Sequence, residues 1–141
     1  MSFTITVDCT LPSMGLVYDK KVNPNLKIRS MTTEEEMRRL AHTERPYKLL
    51  CDIIEECIVG EKPSISVYDM CLGDYQYLLQ RLRVATYGNE YKIIGYCPHC
   101  GAENHEVLDL DMMDIRYMED ELKELLTIQL PMTGKFIGLR L

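Results

Sequence analysis

Tyr91-Lys-Ile-Ile-Gly-Tyr-Cys-Pro-His-Cys-Gly101 is the stretch that decides how this chain is interpreted. Its largely apolar first half predicts a β-strand that leads directly into Cys97-Pro-His-Cys-Gly101. A C-x-x-C motif with an internal proline and a following glycine is typical of a zinc knuckle, because the turn points two thiolates at one tetrahedral ion. Gly101 suits the crowded backbone after the second sulfur. The stretch therefore predicts a β-hairpin that carries part of a zinc site.

A zinc ion in a structural site has four ligands, and the chain lacks the second C-x-x-C of a complete zinc ribbon. His105 lies five residues after Cys100 and is placed to reach back across the hairpin. We therefore predict Cys97, Cys100 and His105 as metal ligands and zinc as a structural cofactor. His99 lies inside the knuckle and is expected to point to solvent. Two alternatives stay open for the missing ligands: a neighbouring chain supplies them, or the site has lost its metal.

The other four cysteines are candidates for the hydrophobic core or for the metal site. Cys51 and Cys57 fall within a helical apolar pattern, and free cysteine is among the most buried residue types, so both are predicted in the core. Cys71 precedes Leu72 in an apolar run and is expected in the core as well. Cys9 stays a possible ligand.

Composition limits the classes of function. The chain has 141 residues, a net charge of −6 and a pI of about 5.1, which argues against a protein whose main task is to bind nucleic acid. The first eight residues have no basic region, and no run approaches the ~20 apolar residues of a membrane helix. We expect no signal peptide, no membrane contact and a reducing compartment in which the cysteines are thiols or metal ligands.

Caps and apolar spacing predict the helices. Thr32 or Thr33 caps the first helix, with a glutamate three residues on to complete a capping box. The predicted apolar side of this helix consists of Met37, Leu40 and Ala41. The second helix begins at Pro46 and is expected to end at a Gly60 cap. Its predicted buried face consists of Tyr47, Leu50, Cys51, Ile54 and Ile58.

Asp74 is the predicted cap of the third helix, which ends at Gly88. Its predicted apolar face consists of Tyr75, Leu78, Leu79, Leu82 and Ala85. Arg81 and Arg83 lie on the polar side and are expected as surface or interface charges. A strand containing Phe3, Ile5 and Val7, a strand containing Leu26 and Ile28, a short helix over 119–126 and a terminal hairpin with its turn between Pro131 and Gly134 complete the prediction.

These elements predict a single α+β domain in which a small helical cluster accompanies a zinc-ribbon-like β-hairpin and a C-terminal β-hairpin. Its segments are the N-terminal strands and loop (1–31), the helical part (32–90), the zinc-knuckle hairpin (91–110), and the acidic segment with the C-terminal hairpin (111–141). Because the chain ends on an apolar strand residue, Leu141, we expect further sequence beyond it.

No catalytic constellation is visible in the sequence. The few serines have no nucleophile-elbow context, no phosphate-binding loop is present, and Asp109, Asp111 and Asp114 lack the spacing of an EF-hand. We therefore predict a protein that is not an enzyme.

Four ordered motifs resemble the baseplate (hub) proteins of T-even-type contractile-tailed bacteriophages. They are Leu11-Pro-Ser-Met-Gly-Leu-Val-Tyr18; Ile28-Arg-Ser-Met-Thr-Thr-Glu-Glu35; Cys71-Leu-Gly-Asp-Tyr-Gln-Tyr-Leu-Leu with Leu82-Arg83 and Tyr87-Gly-Asn-Glu-Tyr91; and Cys97-Pro-His-Cys-Gly101 with Asp109-Leu110. The resemblance covers most of the chain. It implies a non-enzymatic part in building or forming the tail baseplate, in the virion and in the host cytoplasm during assembly. The implied partners are other phage tail proteins, with self-association as a further possibility.

Two other functions stay open. A zinc-knuckle module that binds nucleic acid would share the motif, although the net charge of −6 argues against it. A dithiol redox protein would also share it. Redox motifs usually open a helix, whose dipole lowers the pKa of the first thiol, whereas this motif follows a strand.

Overall fold

The computed structural model describes residues 4–120 and 126–139. The elements in chain order are β1 (Thr6–Thr10), β2 (Asn25–Arg29), α1 (Thr33–Leu40), α2 (Pro46–Cys57), β3 (Ile58–Val59), α3 (Leu72–Tyr87), β4 (Glu90–Tyr96), β5 (Glu103–Asp109), β6 (Leu126–Gln129) and β7 (Phe136–Leu139). Short 3-10 turns occupy Val67–Asp69 and Leu110–Met112. Helices beside small antiparallel sheets confirm the predicted α+β class.

Strands β1, β2 and β3 form an antiparallel sheet in that order. Leu26 and Ile28 on β2 are buried, as their alternation with charged residues predicts. On β1 the inward positions are Val7 and Cys9, which pair with Ile28 and Leu26. The strand begins later than predicted, and Ile5 lies outside it with 61% of its surface exposed.

Helix α1 has the predicted cap but not the predicted buried face. The hydroxyl of Thr32 accepts from the backbone N–H of Glu35, whose carboxylate accepts in return from the N–H of Thr32. The predicted apolar side was wrong, since Met37 and Leu40 are 67% and 69% exposed. Glu35 faces inward instead, because its carboxylate receives two hydrogen bonds from the guanidinium of Arg29 at 2.8 and 2.6 Å.

Helix α2 begins at Pro46, as predicted, and is held against the sheet by its buried face. The buried residues of this helix are Cys51, Ile53, Ile54 and Cys57. Tyr47 is 39% exposed, so the prediction of its burial was wrong. The Gly60 cap was also wrong. The helix passes directly into β3, where Ile58 pairs with Ile28, and Gly60 follows that strand.

Helix α3 supplies the other half of the core. It spans Leu72–Tyr87, with Cys71 rather than Asp74 at the N-cap position, and Gly88 is its C-cap, as predicted. The buried side chains of α3 pack against α2 and against strands β1 and β2 of the sheet. The residues of this core with the least exposure are Leu11, Ile28, Cys51, Ile53, Ile54, Cys57, Val67 and Leu78.

In the part of the chain that the structure describes, the β4–β5 hairpin is tied to this body at its base. Leu110, directly after β5, is 7% exposed, and its carbonyl accepts from the side-chain amide of Gln80 at 3.1 Å. Arg81 donates to Asp111 at 2.6 Å, and its side chain is 14% exposed. Arg81, predicted as a surface or interface charge, therefore lies at the junction between α3 and the hairpin base and ties the two together. The guanidinium of Arg83 lies 4.5 Å from the ring centre of Tyr91.

The C-terminal hairpin is confirmed, with Ile128 paired to Ile137 and a turn between Pro131 and Gly134. The predicted helix over 119–126 largely falls on residues 121–125, which lie outside the described residues. Across residues 4–120 and 126–139, no helix combines the length and apolarity needed to span a bilayer.

Candidate functional site

The knuckle at the tip of the β4–β5 hairpin is a tight, hydrogen-bonded turn. The N–H of Gly101 donates to the carbonyl of Cys97, and the N–H of Cys97 donates to the carbonyl of Ala102, both at 2.9 Å. Gly101 has φ +71°, a conformation that glycine adopts without strain, as its place after the second cysteine predicts. The turn brings the Cys97 and Cys100 side chains together on a short arc of backbone.

The turn also affects the acidity of Cys97. The neighbouring backbone N–H groups of Cys100 and His99, and after them the Cys100 thiol, lower the pKa of the Cys97 thiol. Stabilising a thiolate is what both a metal ligand and a redox nucleophile require. The local geometry therefore fits a metal knuckle, and it fits a reactive dithiol as well.

His105 lies away from the two thiols. It pairs with Ile94 in the hairpin register, and its Nε2 lies 2.7 Å from a Glu103 carboxylate oxygen. Ile94 and Cys97 are three positions apart in sequence, which at ~3.3 Å per residue is about 10 Å of strand. Within the described residues, no group of three or more His, Cys, Asp or Glu side chains is arranged to hold a metal ion. Zinc and the ligand set Cys97, Cys100 and His105 stay predictions.

The other cysteines belong to the body of the protein. Cys51 and Cys57 are fully buried, which confirms their prediction as core residues. Burial raises the pKa of Cys57 to about 12 and that of Cys9 to about 11, so both stay protonated thiols at neutral pH. Cys71 is half-buried rather than fully in the core, and its sulfur lies 3.4 Å from the hydroxyl oxygen of Tyr18.

Apart from half-buried Cys97, residues 90–109 are exposed, on both faces of the hairpin, and apolar side chains lie on each face. The register places Tyr91, Ile93 and Leu108 on one face, and Ile94, Tyr96 and Val107 on the other. The second set is the more exposed, at 54%, 68% and 58%. An isolated two-stranded hairpin gains little stability from such residues, so their exposure indicates a contact surface.

A cleft of about 540 Å³ lies at the base of the hairpin. Leu50 of α2, Leu79 of α3 and Leu110 contribute apolar walls, and Tyr91 connects the cleft to the first face of the hairpin. Arg39 and Arg83 contribute cationic groups to the lining. Cleft and hairpin form a continuous, partly apolar surface.

Asp74 is a buried polar residue, and its predicted role as the N-cap of α3 was wrong. Its carboxylate is fully buried and accepts from the Ser13 backbone N–H at 2.9 Å, the Ser13 hydroxyl at 2.5 Å and the Tyr18 hydroxyl at 2.6 Å. Burial and the bond to Asp74 raise the pKa of Tyr18 above its ordinary range. Gly15 closes the same loop, where an added Cβ would lie 2.5 Å from the Val22 carbonyl oxygen.

The sequence model of one protein family, described as T4 bacteriophage base plate protein, matches residues 2–136 of the 141. The chain belongs to this family. Comparison with curated proteins and with solved structures gave no match. Membership confirms the resemblance carried by the four motifs and makes this protein a phage baseplate component that works with other phage tail proteins.

The structure also explains two motifs of this baseplate protein. Leu11-Pro-Ser-Met-Gly-Leu-Val-Tyr18 and Cys71-Leu-Gly-Asp-Tyr lie far apart in sequence and meet at Asp74. Both motifs therefore have a structural role. The first supplies the hydrogen-bond donors, and the second supplies the buried acceptor, Asp74. The exposed β4–β5 hairpin takes no part in this buried hydrogen-bond network.

Proposed function

We propose that this baseplate protein is a non-enzymatic structural or assembly component whose β4–β5 hairpin docks against another tail protein of the same phage. The observation that carries the proposal is the exposure of apolar side chains along a hairpin that contributes nothing to the core between residues 90 and 109. A baseplate is built by protein contacts, and aromatic and aliphatic side chains are the usual centres of such contacts.

The knuckle has a supporting role in this proposal. Binding zinc through Cys97 and Cys100 would fix the tip of the hairpin and so reduce the conformational entropy lost on docking. The lowered pKa of the Cys97 thiol supports this role, because it favours the thiolate that binds metal. We place the protein in the tail baseplate hub and, during assembly, in the host cytoplasm.

The charge of the hairpin disfavours the nucleic-acid alternative. Glu103 and Glu106 lie on β5, and Glu90 and Asp109 form the last pair of the ladder, whereas Lys92 is its one Lys or Arg. An acidic surface repels phosphate, so binding to DNA or RNA through this hairpin is not expected.

The dithiol redox alternative is favoured by one observation, the lowered pKa of the Cys97 thiol. Thiol–disulfide exchange with a small-molecule disulfide separates the two functions. A redox protein exchanges rapidly in the presence of zinc, whereas a metal knuckle exchanges only after a chelator has removed the metal.

The test of the docking function is complementation of a phage that lacks this gene. We expect the double variant Ile94→Lys, Val107→Lys to fold but to give few infectious particles, because two charges would be buried in the contact. Electron microscopy of the lysates should show tails arrested before the baseplate is complete.

The matched control places the same charges on another exposed apolar pair, Met37→Lys with Leu40→Lys on α1. This control should support a normal phage yield. Normal yield from a folded hairpin variant would refute the docking function.

A further inference from the structure

The knuckle holds too few ligands for zinc within one chain. All six cysteines and all three histidines of the sequence lie in the described residues. Cys9, Cys51 and Cys57 are buried in the core, and Cys71 is hydrogen-bonded to Tyr18 in the body of the protein. Two thiols at one turn satisfy half of the tetrahedral set that structural zinc takes.

The histidines do not complete the set in this conformation. His99 lies between the two cysteines and is exposed at the tip. His105 is about 10 Å of strand away and beside Glu103. His42 follows α1, in the helical part of the chain. Among the described residues, no group of three or more His, Cys, Asp or Glu side chains is arranged to hold a metal ion, so a tetrahedral zinc ion at the knuckle needs ligands from another molecule.

The position of the knuckle leaves room for a second copy. A seven-residue strand at ~3.3 Å per residue places the tip about 20 Å along the hairpin from its base, which follows α3. Pro98, His99, Cys100 and Gly101 at the tip are all exposed. The tip is therefore accessible to the tip of a second copy, and the apolar hairpin faces stay available for other contacts.

We propose that two copies of this chain share one zinc ion, with Cys97 and Cys100 of each copy as its four ligands. The inference rests on the proposed metal-binding role of the knuckle, and it specifies that a second copy of the chain supplies the remaining two ligands. A two-fold axis through the ion relates two equal pairs of thiolates, which gives the four-cysteine ligand set of a structural zinc site and the commonest symmetry of homo-oligomers. The thiols release their protons to solvent as the metal binds.

Charge makes this dimer dependent on the metal. Glu103 and Glu106 lie on the strand that leaves the knuckle, so two metal-free tips carry like charges toward each other. The zinc ion supplies the attraction that overcomes this repulsion. Removing zinc should therefore dissociate the copies, and no metal-free dimer should form through this surface.

The test measures mass and metal content together. Purified full chain is analysed by native mass spectrometry and light scattering with added Zn²⁺, and again after a chelator. We expect dimers with one zinc per two chains, and metal-free monomers after chelation. Cys97→Ser and Cys100→Ser should each lose zinc and dimer while keeping the melting temperature of the core, which the hairpin does not enter.

Two variants and two outcomes make the test decisive. His105→Gln should keep both zinc and dimer, and Cys71→Ser serves as the matched cysteine control with the same result. One zinc per monomer, lost in His105→Gln, would overturn the shared site while leaving the metal-stabilised hairpin in place. A wild-type chain that complements the phage but binds no zinc would overturn both metal roles and leave the docking function standing.

Discussion

Asp74 shows how a single side chain holds distant parts of this fold together. Its carboxylate receives hydrogen bonds from Ser13, 61 residues away in sequence, and from Tyr18, 56 residues away. The Tyr18 oxygen in turn accepts from the N–H of Cys71 at 3.1 Å, just before α3 begins. A carboxylate is suited to this place because the three groups that contact it, the N–H and hydroxyl of Ser13 and the hydroxyl of Tyr18, all donate.

Replacing Asp74 with asparagine should destabilise the protein by about 1–3 kcal/mol, because an amide NH2 would face donors and leave a buried group unsatisfied. Urea denaturation followed by circular dichroism measures the loss. Asp19→Asn is the matched control, since Asp19 is exposed and close to the same loop. Equal stability of the two variants would show that the Asp74 carboxylate is not required.

At the scale of elements, Glu35 couples α1 to the β1–β2–β3 sheet. Its hydrogen bonds from Arg29 and from the N–H of Thr32 lower the pKa of the carboxyl from 4.5 to about 2. A folded pKa below the unfolded one means that the ion pair stabilises the protein above about pH 4.5 and that this stability is lost as pH falls toward 2. Glu36, paired with Arg39 and Tyr87, also has a pKa lowered to about 2 and adds to the same window.

The Glu35 carboxyl should therefore account for about 2–3 kcal/mol of the stability lost between pH 5 and pH 2. Glu35→Gln should be less stable than wild type at pH 6 and should show a shallower decline on acidification. Glu34→Gln, at an exposed neighbouring position, should follow the wild-type curve. Free energies of unfolding from urea titrations at several pH values provide the comparison. Parallel curves for wild type and Glu35→Gln would contradict the assignment.

Elements were predictable from sequence where their causes are local. Thr32 and Glu35 are three residues apart, and the turn from Cys97 to Gly101 is a single motif, so both were correctly predicted. The orientation of α1 was not, because the partner that turns Glu35 inward lies on β2 and outweighs the apolar pull of Met37 and Leu40. The role of Asp74 depends on a loop 61 residues earlier, which no local pattern reveals.

At the scale of the whole molecule, stability is distributed unevenly. The buried side chains of α2, α3 and the β1–β2–β3 sheet form one cluster, whereas the hairpin between residues 90 and 109 contributes none to it. Its ladder can open while the core stays folded, because few buried contacts are lost. A hairpin with so few buried contacts changes conformation easily. It becomes rigid when a partner or a metal binds it.

Hydrogen exchange should therefore separate two parts of the chain. In metal-free protein, amides of β4 and β5 should exchange at least about tenfold faster than those of α3 around Leu78 and Leu82, which open only with the core. Zinc should slow exchange in the hairpin and leave α3 unchanged, because the metal fixes only the tip. Cys97→Ser should abolish this effect of zinc, and Cys71→Ser should retain it. Hairpin and α3 amides that exchange at one common rate would instead show that the hairpin unfolds together with the core, and its independent, metal-controlled rigidity would have to be abandoned.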